Sequence, residues 1–287
     1  MIKLHTRRHG ISRSKAGSVA IFLLLLFVAA FMLLPFVYSV LQSLKPMEEI
    51  FAYPPRFFVK NPTFDNYRQI WNLSDTLWIP FSRYIFNSVF VTTVGIVLSF
   101  SVGVFAAFPL AKFDFPGNKF ISQLVTLALL FVGPVTGLPQ YIIVAKLGMI
   151  NTYSAIILPI VAGPLNLFLM KNFMSQIPDS MIEAATIDGA GMFTTFWKVC
   201  LPLVKPAIYT AVIFSFQALW NSTGGSYIFD EEMKTLPTML SQLSSSGIAR
   251  AGVASATSML MLLPSLIVFV LLQSKVVETM AYSGIKG

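Results

Sequence analysis

The sequence contains a set of uncharged polar and aromatic residues that could bind a neutral molecule. They lie in the fifth of six long apolar runs, at a spacing that places them on one face of a helix: Thr210, Phe214, Gln217 and Asn221, with Trp220 beside them. Amide and hydroxyl groups form hydrogen bonds, and aromatic rings pack on the apolar faces of sugar rings. The chemistry that this pattern favours is therefore reversible binding of a hydroxyl-rich molecule.

Buried amides have a second possible role, because Asn and Gln also form hydrogen bonds between membrane helices. Asn166, in the fourth apolar run, is another uncharged polar residue of this kind. The interhelical role is the preferred interpretation of Asn166, whereas contact with a bound molecule is preferred for Gln217 and Asn221. The small residues of Ala251–Ser258, at the start of the sixth run, are predicted to pack against another helix.

Covalent, acid–base and metal chemistry have little support in the sequence. The two histidines, His5 and His9, precede the first apolar run, and Cys200 is the single cysteine. Ser244–Gly247 is only weakly similar to a serine nucleophile turn, and no histidine is placed to activate it. No Gly-x-x-x-x-Gly-Lys-Ser/Thr sequence occurs, so the chain is not expected to bind ATP itself. We therefore predict no catalytic residue, no metal site and no cofactor of its own.

The composition is that of a membrane protein. Of 287 residues, 55% are hydrophobic and only 11% are charged, whereas soluble domains carry about 25% charged residues. The formal net charge is +8, but the basic residues flank the apolar runs and form no basic face. This distribution indicates membrane topology rather than binding to nucleic acid.

Six charge-free runs are long enough to cross a bilayer, which requires about 20 apolar residues. They are Ala16–Leu44, Tyr84–Ala111, Phe120–Ala145, Leu147–Met170, Ala207–Phe229 and Ala251–Ser274. The helix of the fourth run is predicted to begin near Tyr153, after the turn-like residues Asn151 and Thr152. Gly133-Pro134 and Gly137-x-Pro139 indicate either an irregular third span or a simple kink, and the kink is the preferred interpretation. The predicted fold class is all-α, with six transmembrane helices forming one domain over residues 16–274.

Lys and Arg residues predict the orientation of these spans. The basic tail 1–15 precedes an apolar run, Val19–Val40, that is longer than the roughly 7–15 apolar residues of a signal peptide, so this run is predicted to be a retained span. With the N-terminus inside, the inner segments hold more Lys and Arg than the outer ones. The tails 1–15 and 275–287 and the loop 171–205 are therefore predicted to be cytoplasmic.

The middles of the six runs lack Asp, Glu, Lys and Arg. A proton- or ion-coupled carrier normally places ionisable groups within its spans. Any energy that drives movement through these spans is therefore expected to enter from outside the chain.

The loop between the fourth and fifth runs is predicted to form a helix, a glycine turn and a second helix. Pro178 ends the preceding element. Ser180 and Glu183 have the spacing of a capping box that would make Met181 the first helical residue. Gly189 is predicted to stop this helix in the left-handed conformation.

The second part of the loop is predicted from its glycine and prolines. Gly191 would act as a second pivot. A short helix is expected from Met192 to Val199, and Pro202 and Pro206 are expected to break it.

This loop resembles the EAA loop of ATP-binding-cassette (ABC) importer permeases. The match comprises Glu183-Ala184-Ala185, three residues, Gly189, nine residues, Val199, one residue and Leu201-Pro202. The family usually has Ile where this chain has Val199. The longer sequence from Pro178 through Asp188-Gly189-Ala190 to Lys205-Pro206 is similar to that of carbohydrate importers. Within that branch it resembles the second permease of the maltose-transporter type.

The resemblance implies an assembly and a set of coupling residues. A homologous second permease would complete the path, two copies of a cytoplasmic ATPase would bind ATP and Mg, and an extracytoplasmic solute-binding protein would deliver an oligosaccharide at a bacterial inner membrane. The implied coupling residues are Ser180, Glu183, Ala184, Ala185, Asp188, Gly189, Leu201 and Pro202, and the candidate substrate pathway is Gln217, Trp220, Asn221 and Asn166. Two alternatives stay open: a self-sufficient channel or carrier, and a purely local capping role for Glu183.

Overall fold

The computed structural model describes residues 15–75, 79–131, 133–245 and 250–283. Within these ranges every regular element is a helix, which confirms the all-α prediction. Most of the predicted N-terminal tail, the last four residues of the C-terminal tail, and Ser246 and Gly247 of the serine cluster lie outside the described residues.

Fourteen α-helical segments follow one another in the described chain. They are α1 Lys15–Ser43, α2 Met47–Ile50, α3 Asp65–Asp75, α4 Phe81–Lys112, α5 Asn118–Ala128, α6 Gly133–Lys146, α7 Tyr153–Val161, α8 Pro164–Ser175, α9 Asp179–Ile187, α10 Met192–Thr195, α11 Leu201–Leu203, α12 Lys205–Trp220, α13 Leu236–Ser244 and α14 Ala251–Ser283. A π-helical turn, Phe196–Cys200, joins α10 to α11, and a 3₁₀ turn, Glu231–Met233, precedes α13.

The structure does not confirm six continuous spans. Among the described residues, four helical stretches have the length and composition to cross a membrane, or five if the bent pair Met192–Leu203 and Lys205–Trp220 counts as one. The stretch Tyr153–Ser175 is one of the four, and α7 begins at Tyr153 as predicted. The chain is a multi-pass membrane protein.

The third predicted span is divided rather than kinked. Helix α5 ends at Ala128, a turn follows at Leu129 and Leu130, and α6 begins at Gly133. Pro134 has no N–H to donate to the Leu130 carbonyl, and its ring would clash with that carbonyl in a continuous helix, whereas in the first turn of α6 the missing N–H is not needed. A helix therefore cannot run through this point with its full set of backbone hydrogen bonds.

The fifth predicted span is shorter than its apolar run, and the sixth is longer. Helix α12 ends at Trp220, so Asn221 is the residue that follows the last helical turn. Gly224 and Gly225 have positive φ angles, and the chain turns there instead of continuing to Phe229. Helix α14 extends from Ala251 past the predicted end at Ser274 to Ser283.

Helix α4 is at the centre of the packing. It contacts α7, α8 and α12, while α14 packs against α12 and α1. Helix α1 is largely apolar, and none of its most apolar stretch is buried within the chain. Lipid solvates apolar side chains, so such a surface is expected of a helix that faces the bilayer.

A network of hydrogen bonds holds the segment before α13 against the N-terminal part of α4. The Asn87 amide donates to the Glu232 and Lys234 carbonyls, each at 2.8 Å, and accepts from the Tyr153 hydroxyl at 2.7 Å. Partial burial opposes ionisation of Glu231, but hydrogen bonds from Lys234 and Tyr84 outweigh it, so the pKa of this carboxyl lies below its usual range. We call this arrangement the Asn87 network.

Candidate functional site

The predicted coupling loop begins with helix α9, whose start differs from the sequence prediction. The helix begins at Asp179, two residues before Met181, with Pro178 at the capping position. No side chain forms a capping hydrogen bond there, so the predicted Ser180–Glu183 capping box is wrong. The reason is positional: from a start at Asp179, Ser180 already lies inside the first turn and cannot cap it. Glu183 is exposed on the surface of the helix, as are Ser180 and Ala184, while Ala185 is half-buried.

Helix α9 ends at the glycine that the sequence indicated. Gly189 has φ +81°, which confirms the predicted left-handed conformation. Its N–H donates to the Thr186 carbonyl at 3.0 Å, and the Ala190 N–H donates to the Ala185 carbonyl at 2.9 Å. These two bonds form a Schellman motif, which satisfies the last carbonyls of α9 and reverses the chain after Asp188.

Gly191 does not act as a second pivot. Its φ is −69° and its ψ is 162°, an extended conformation that any residue adopts. The chain direction between α9 and α10 is therefore set by Gly189.

The second helix of the loop is longer than predicted and does not break at Pro202. Helix α10, the π-helical turn and α11 run together to Leu203, and the chain then bends by 75° into α12. Pro202 has no N–H to donate to the Lys198 carbonyl, and the wider π turn just before it accommodates that missing bond. Pro206 lies in the first turn of α12, where its missing N–H is not needed.

The π-helical turn anchors the loop to the membrane helices. Phe196 and Cys200 are buried in a core cluster with Phe108 of α4 and Met170 of α8. The rings of Phe196 and Phe108 lie 5.0 Å apart. Leu201 is half-buried and packs against this cluster, while Pro202 is exposed. The loop therefore shares one packed core with α4 and α8.

Lys112, which the sequence did not single out, connects the last turn of α4 to the start of α9. Its ammonium group donates to the Ile177 carbonyl and to Asp179 Oδ1, the latter at 2.7 Å. The Lys112 side chain is only 5% exposed, whereas that of Asp179 is 80% exposed. A basic residue at the last turn of a span is favoured by the helix dipole, and this is the signal that could have identified it.

Large apolar side chains are exposed on both sides of Gly189. Ile187 is 86% exposed, Phe193 is 69% exposed, and Met192 is also exposed. They lie among the exposed acidic residues Glu183 and Asp188, which do not suit a lipid-facing surface. Exposed apolar patches with a polar rim occur at sites of contact with proteins, membranes or ligands. We call this patch, with the exposed side of α9, the coupling surface.

The structure brings two of the four pathway candidates together. Gln217 and Asn221 both line an open cleft of about 520 Å³ between α12, α13 and α14. The side-chain amide of Asn221 donates to the backbone carbonyl of Gln217 at 2.8 Å. Trp220 does not line this cleft. It is buried, it stacks on Phe216, and its indole N–H donates to the Met261 carbonyl at 3.3 Å.

Asn166 lies apart from the other candidates, in the packing between three helices. Its amide donates to the Ser99 hydroxyl of α4 at 2.5 Å and to the Ser215 hydroxyl of α12 at 2.8 Å. The residue is 9% exposed. This geometry is the interhelical arrangement that was preferred for Asn166, and a role in the pathway stays a prediction.

Asn166→Ala is expected to lower the thermal stability of the purified assembly. The change removes two hydrogen bonds between helices, each worth about 0.6 kcal/mol on average in membrane proteins. The readout is the melting temperature in detergent beside transport activity in liposomes. Asn172→Ala, at an exposed position of the same helix, is the matched control. An unchanged melting temperature with lost transport would assign Asn166 to the pathway instead.

Comparison with known proteins identifies the family. Residues 18–280 match the family described as binding-protein-dependent transport system inner membrane component. The chain belongs to this family. This permease is 30% identical to Protein LplC of Bacillus subtilis (strain 168) over the full length of both chains. It is 28% identical to the melibiose/raffinose/stachyose import permease protein MelC of the same organism, over 96% of this chain and 99% of MelC.

The fold of the permease is also found in a solved structure. A bacterial ABC transporter involved in the import of the acidic polysaccharide alginate contains a chain that matches with a TM-score of 0.75. The match covers 91% of this permease and 98% of that chain, at 23% identity. Together with the relatives, these matches confirm the resemblance to ABC importer permeases of the carbohydrate-uptake type.

Proposed function

We propose that this permease forms, with a homologous second permease, the path of an oligosaccharide across a bacterial inner membrane. The spans 16–274 would form the permease domain, and the tails 1–15 and 275–287 would lie in the cytoplasm with the loop 171–205. A solute-binding protein would dock on the outer side, at or near the Asn87 network. The names of the relatives, MelC among them, support the sugar class.

The coupling surface is the observation that carries this proposal. Its apolar residues lie at the end of α9 and on α10, on both sides of the Schellman motif at Gly189, and Lys112 holds the start of α9. An exposed patch on a rigid element is suited to a stable protein partner. We propose that this partner is a cytoplasmic ATPase, present in two copies, which binds the ATP and Mg that the permease does not bind itself.

The mechanism follows from these connections. Closure of the ATPase pair would displace α9. Because Phe196 and Cys200 hold the following turn in a core with α4 and α8, this displacement would reach the spans. Helix α12 follows this turn after the 75° bend. Gln217 lies in the last turn of α12 and Asn221 directly follows it, and both line the cleft. The movement of the ATPase would thus reorient the polar cleft residues.

Reconstitution tests the function directly. The complete assembly is placed in liposomes with the binding protein, and uptake of radiolabelled sugars is measured with ATP, with a non-hydrolysable ATP analogue, and without the ATPase. Uptake that requires hydrolysis and all subunits is the expected result. Sugar uptake by the isolated permease without the ATPase would favour a self-sufficient channel or carrier.

Gln217→Leu is expected to lower sugar uptake about two- to ten-fold while assembly stays intact. Loss of one hydrogen bond to a substrate costs about 0.5–1.5 kcal/mol. Uptake is measured in the same liposomes, and assembly is measured by co-purification of the subunits. Normal uptake by both Gln217→Leu and Asn221→Leu would show that this face does not contact the sugar.

A further inference from the structure

A large open cavity lies beside the start of α9, where α4, α5 and α8 come together. It has a volume of about 1050 Å³, and its lining includes the connection 113–117 between α4 and α5, the first turns of α5, and Lys171 of α8. A second cavity of about 470 Å³ shares Ser122, Gln123 and Lys171 with the first and extends along α5 to Leu127. We call the two cavities together the α5–α8 groove.

Two lysines of this groove have no acidic partner. Lys112 also lines it, but its ammonium group is already bonded to Asp179 and to a backbone carbonyl. Within the described ranges of the chain, neither Lys119 nor Lys171 forms an ion pair. Asp114, the other acidic residue of the lining, is exposed and forms no ion pair in these ranges either. The groove therefore has an excess of positive charge.

The lining changes from charged to apolar along α5. Lys119 lies in the first turn of this helix, directly before the apolar run that begins at Phe120. Ser122 follows within the next turn, and Leu127 lies about 12 Å further along the helix than Lys119, at a rise of 1.5 Å per residue. A phospholipid has the same order, with a charged headgroup, polar ester groups and apolar chains.

We propose that the α5–α8 groove binds one anionic phospholipid, with its phosphate between Lys119 and Lys171 and an acyl chain along α5 toward Leu127. Basic pockets between membrane helices, at the level of the headgroups, are suited to anionic lipids. Phe120 and Leu124 of α5 are exposed and would contact the chains. The inference goes beyond the transport function, and it concerns the leaflet that borders the coupling loop.

The two parts of the groove together favour a lipid over other anions. A soluble phosphate would occupy only the charged end and would leave the apolar end unfilled. A cytoplasmic protein would have to enter the bilayer to reach Leu127. The excess positive charge favours an anionic headgroup over phosphatidylcholine, whose own cation would lie near the lysines. A bound lipid would lie beside the Lys112–Asp179 pair, which holds the start of α9.

Photolabelling of the complete assembly tests the proposal. The assembly is placed in nanodiscs of phosphatidylcholine that contain a small amount of phosphatidylglycerol with a photoreactive acyl chain. After irradiation, labelled peptides of the permease are quantified by mass spectrometry, and label is expected within α5. The double variant Lys119→Gln, Lys171→Gln is expected to lower this label about ten-fold or more, since each lysine near the membrane surface contributes about five-fold to binding of an anionic lipid.

Two further double variants separate charge from structure. Lys119→Arg, Lys171→Arg keeps both charges and is expected to retain the label of the wild type. Lys198→Gln, Lys205→Gln removes two charges from exposed positions of the coupling loop that do not line the groove, and it is also expected to retain the label. Co-purification of the subunits checks that every variant still assembles.

Competition identifies the source of the phosphate. Unlabelled phosphatidylglycerol should suppress the label within α5, whereas additional phosphatidylcholine or inorganic phosphate in solution should not. Suppression by inorganic phosphate would overturn the lipid and assign the charged end to a soluble anion. Wild-type labelling of the double glutamine variant would overturn the site. The label is measured without sugar or ATP, so failure of this proposal is distinguishable from failure of the transport function.

Discussion

Gly189→Val is expected to abolish sugar uptake while the permease still inserts into the membrane. Gly189 has φ +81°, and a β-branched residue in this region is strained by about 1–3 kcal/mol. The Schellman bonds to Thr186 and Ala185 would then be lost, and α9 would run on or turn elsewhere. The coupling surface would no longer fit the ATPase. Sugar uptake and binding-protein-stimulated ATP hydrolysis are both measured, in membranes that contain the variant permease in the same amount as the wild type.

Two control variants isolate the backbone effect at Gly189. Gly191→Val adds the same side chain two residues later, where φ is −69° and no atom lies within 4 Å of an added Cβ, so uptake should continue. Glu183→Ala removes one exposed carboxylate and leaves the backbone path unchanged, so it should do less damage than Gly189→Val. Full uptake by Gly189→Val would show that the glycine turn is not required for coupling.

Lys112→Met is expected to lower uptake roughly ten-fold. The substitution keeps the apolar part of the side chain but leaves the Ile177 carbonyl without its donor, at a cost of about 1–3 kcal/mol. It also releases the first residue of α9, Asp179, from α4. The ion pair itself contributes little, because Asp179 is largely exposed and its charge is screened. Helix α9 would still fold but would no longer be held at a fixed position.

Three measurements decide the role of Lys112. Uptake per ATP hydrolysed should fall in Lys112→Met, co-purification with the ATPase should persist, and Asp179→Asn should have a smaller effect because the Ile177 bond remains. Lys146→Met, at an exposed position in the last turn of α6, is the matched control and should behave as the wild type. Equal uptake in Lys112→Met and Lys146→Met would remove Lys112 from the coupling path.

The features that the sequence predicted correctly depend on local rules. Gly189 was predictable because a glycine that follows a short helix usually takes positive φ. The start of α7 at Tyr153 was predictable from the turn residues before it. The family was predictable because the spacing of Glu183-Ala184-Ala185, Gly189 and Leu201-Pro202 is fixed along the chain.

The features that the sequence did not predict depend on contacts between distant segments. The capping box at Ser180 failed because α9 already begins at Asp179, directly after the segment whose Ile177 carbonyl is held by Lys112 of α4. Trp220 has suitable chemistry for sugar binding, but its indole faces Met261 of α14.

The packing of α1 against α14 has a consequence for the order in which the chain assembles. About 200 residues separate the end of α1 at Ser43 from the start of α14 at Ala251. At about 5–20 residues per second, the ribosome needs on the order of 10–40 seconds to make them. During that interval α1 would lie in the bilayer without α14 beside it. Its apolar surface is compatible with lipid, so it can be stable there on its own. A nascent chain arrested before Ala251 should therefore contain α1 as an independently inserted helix, and only release of α14 should lock it in place.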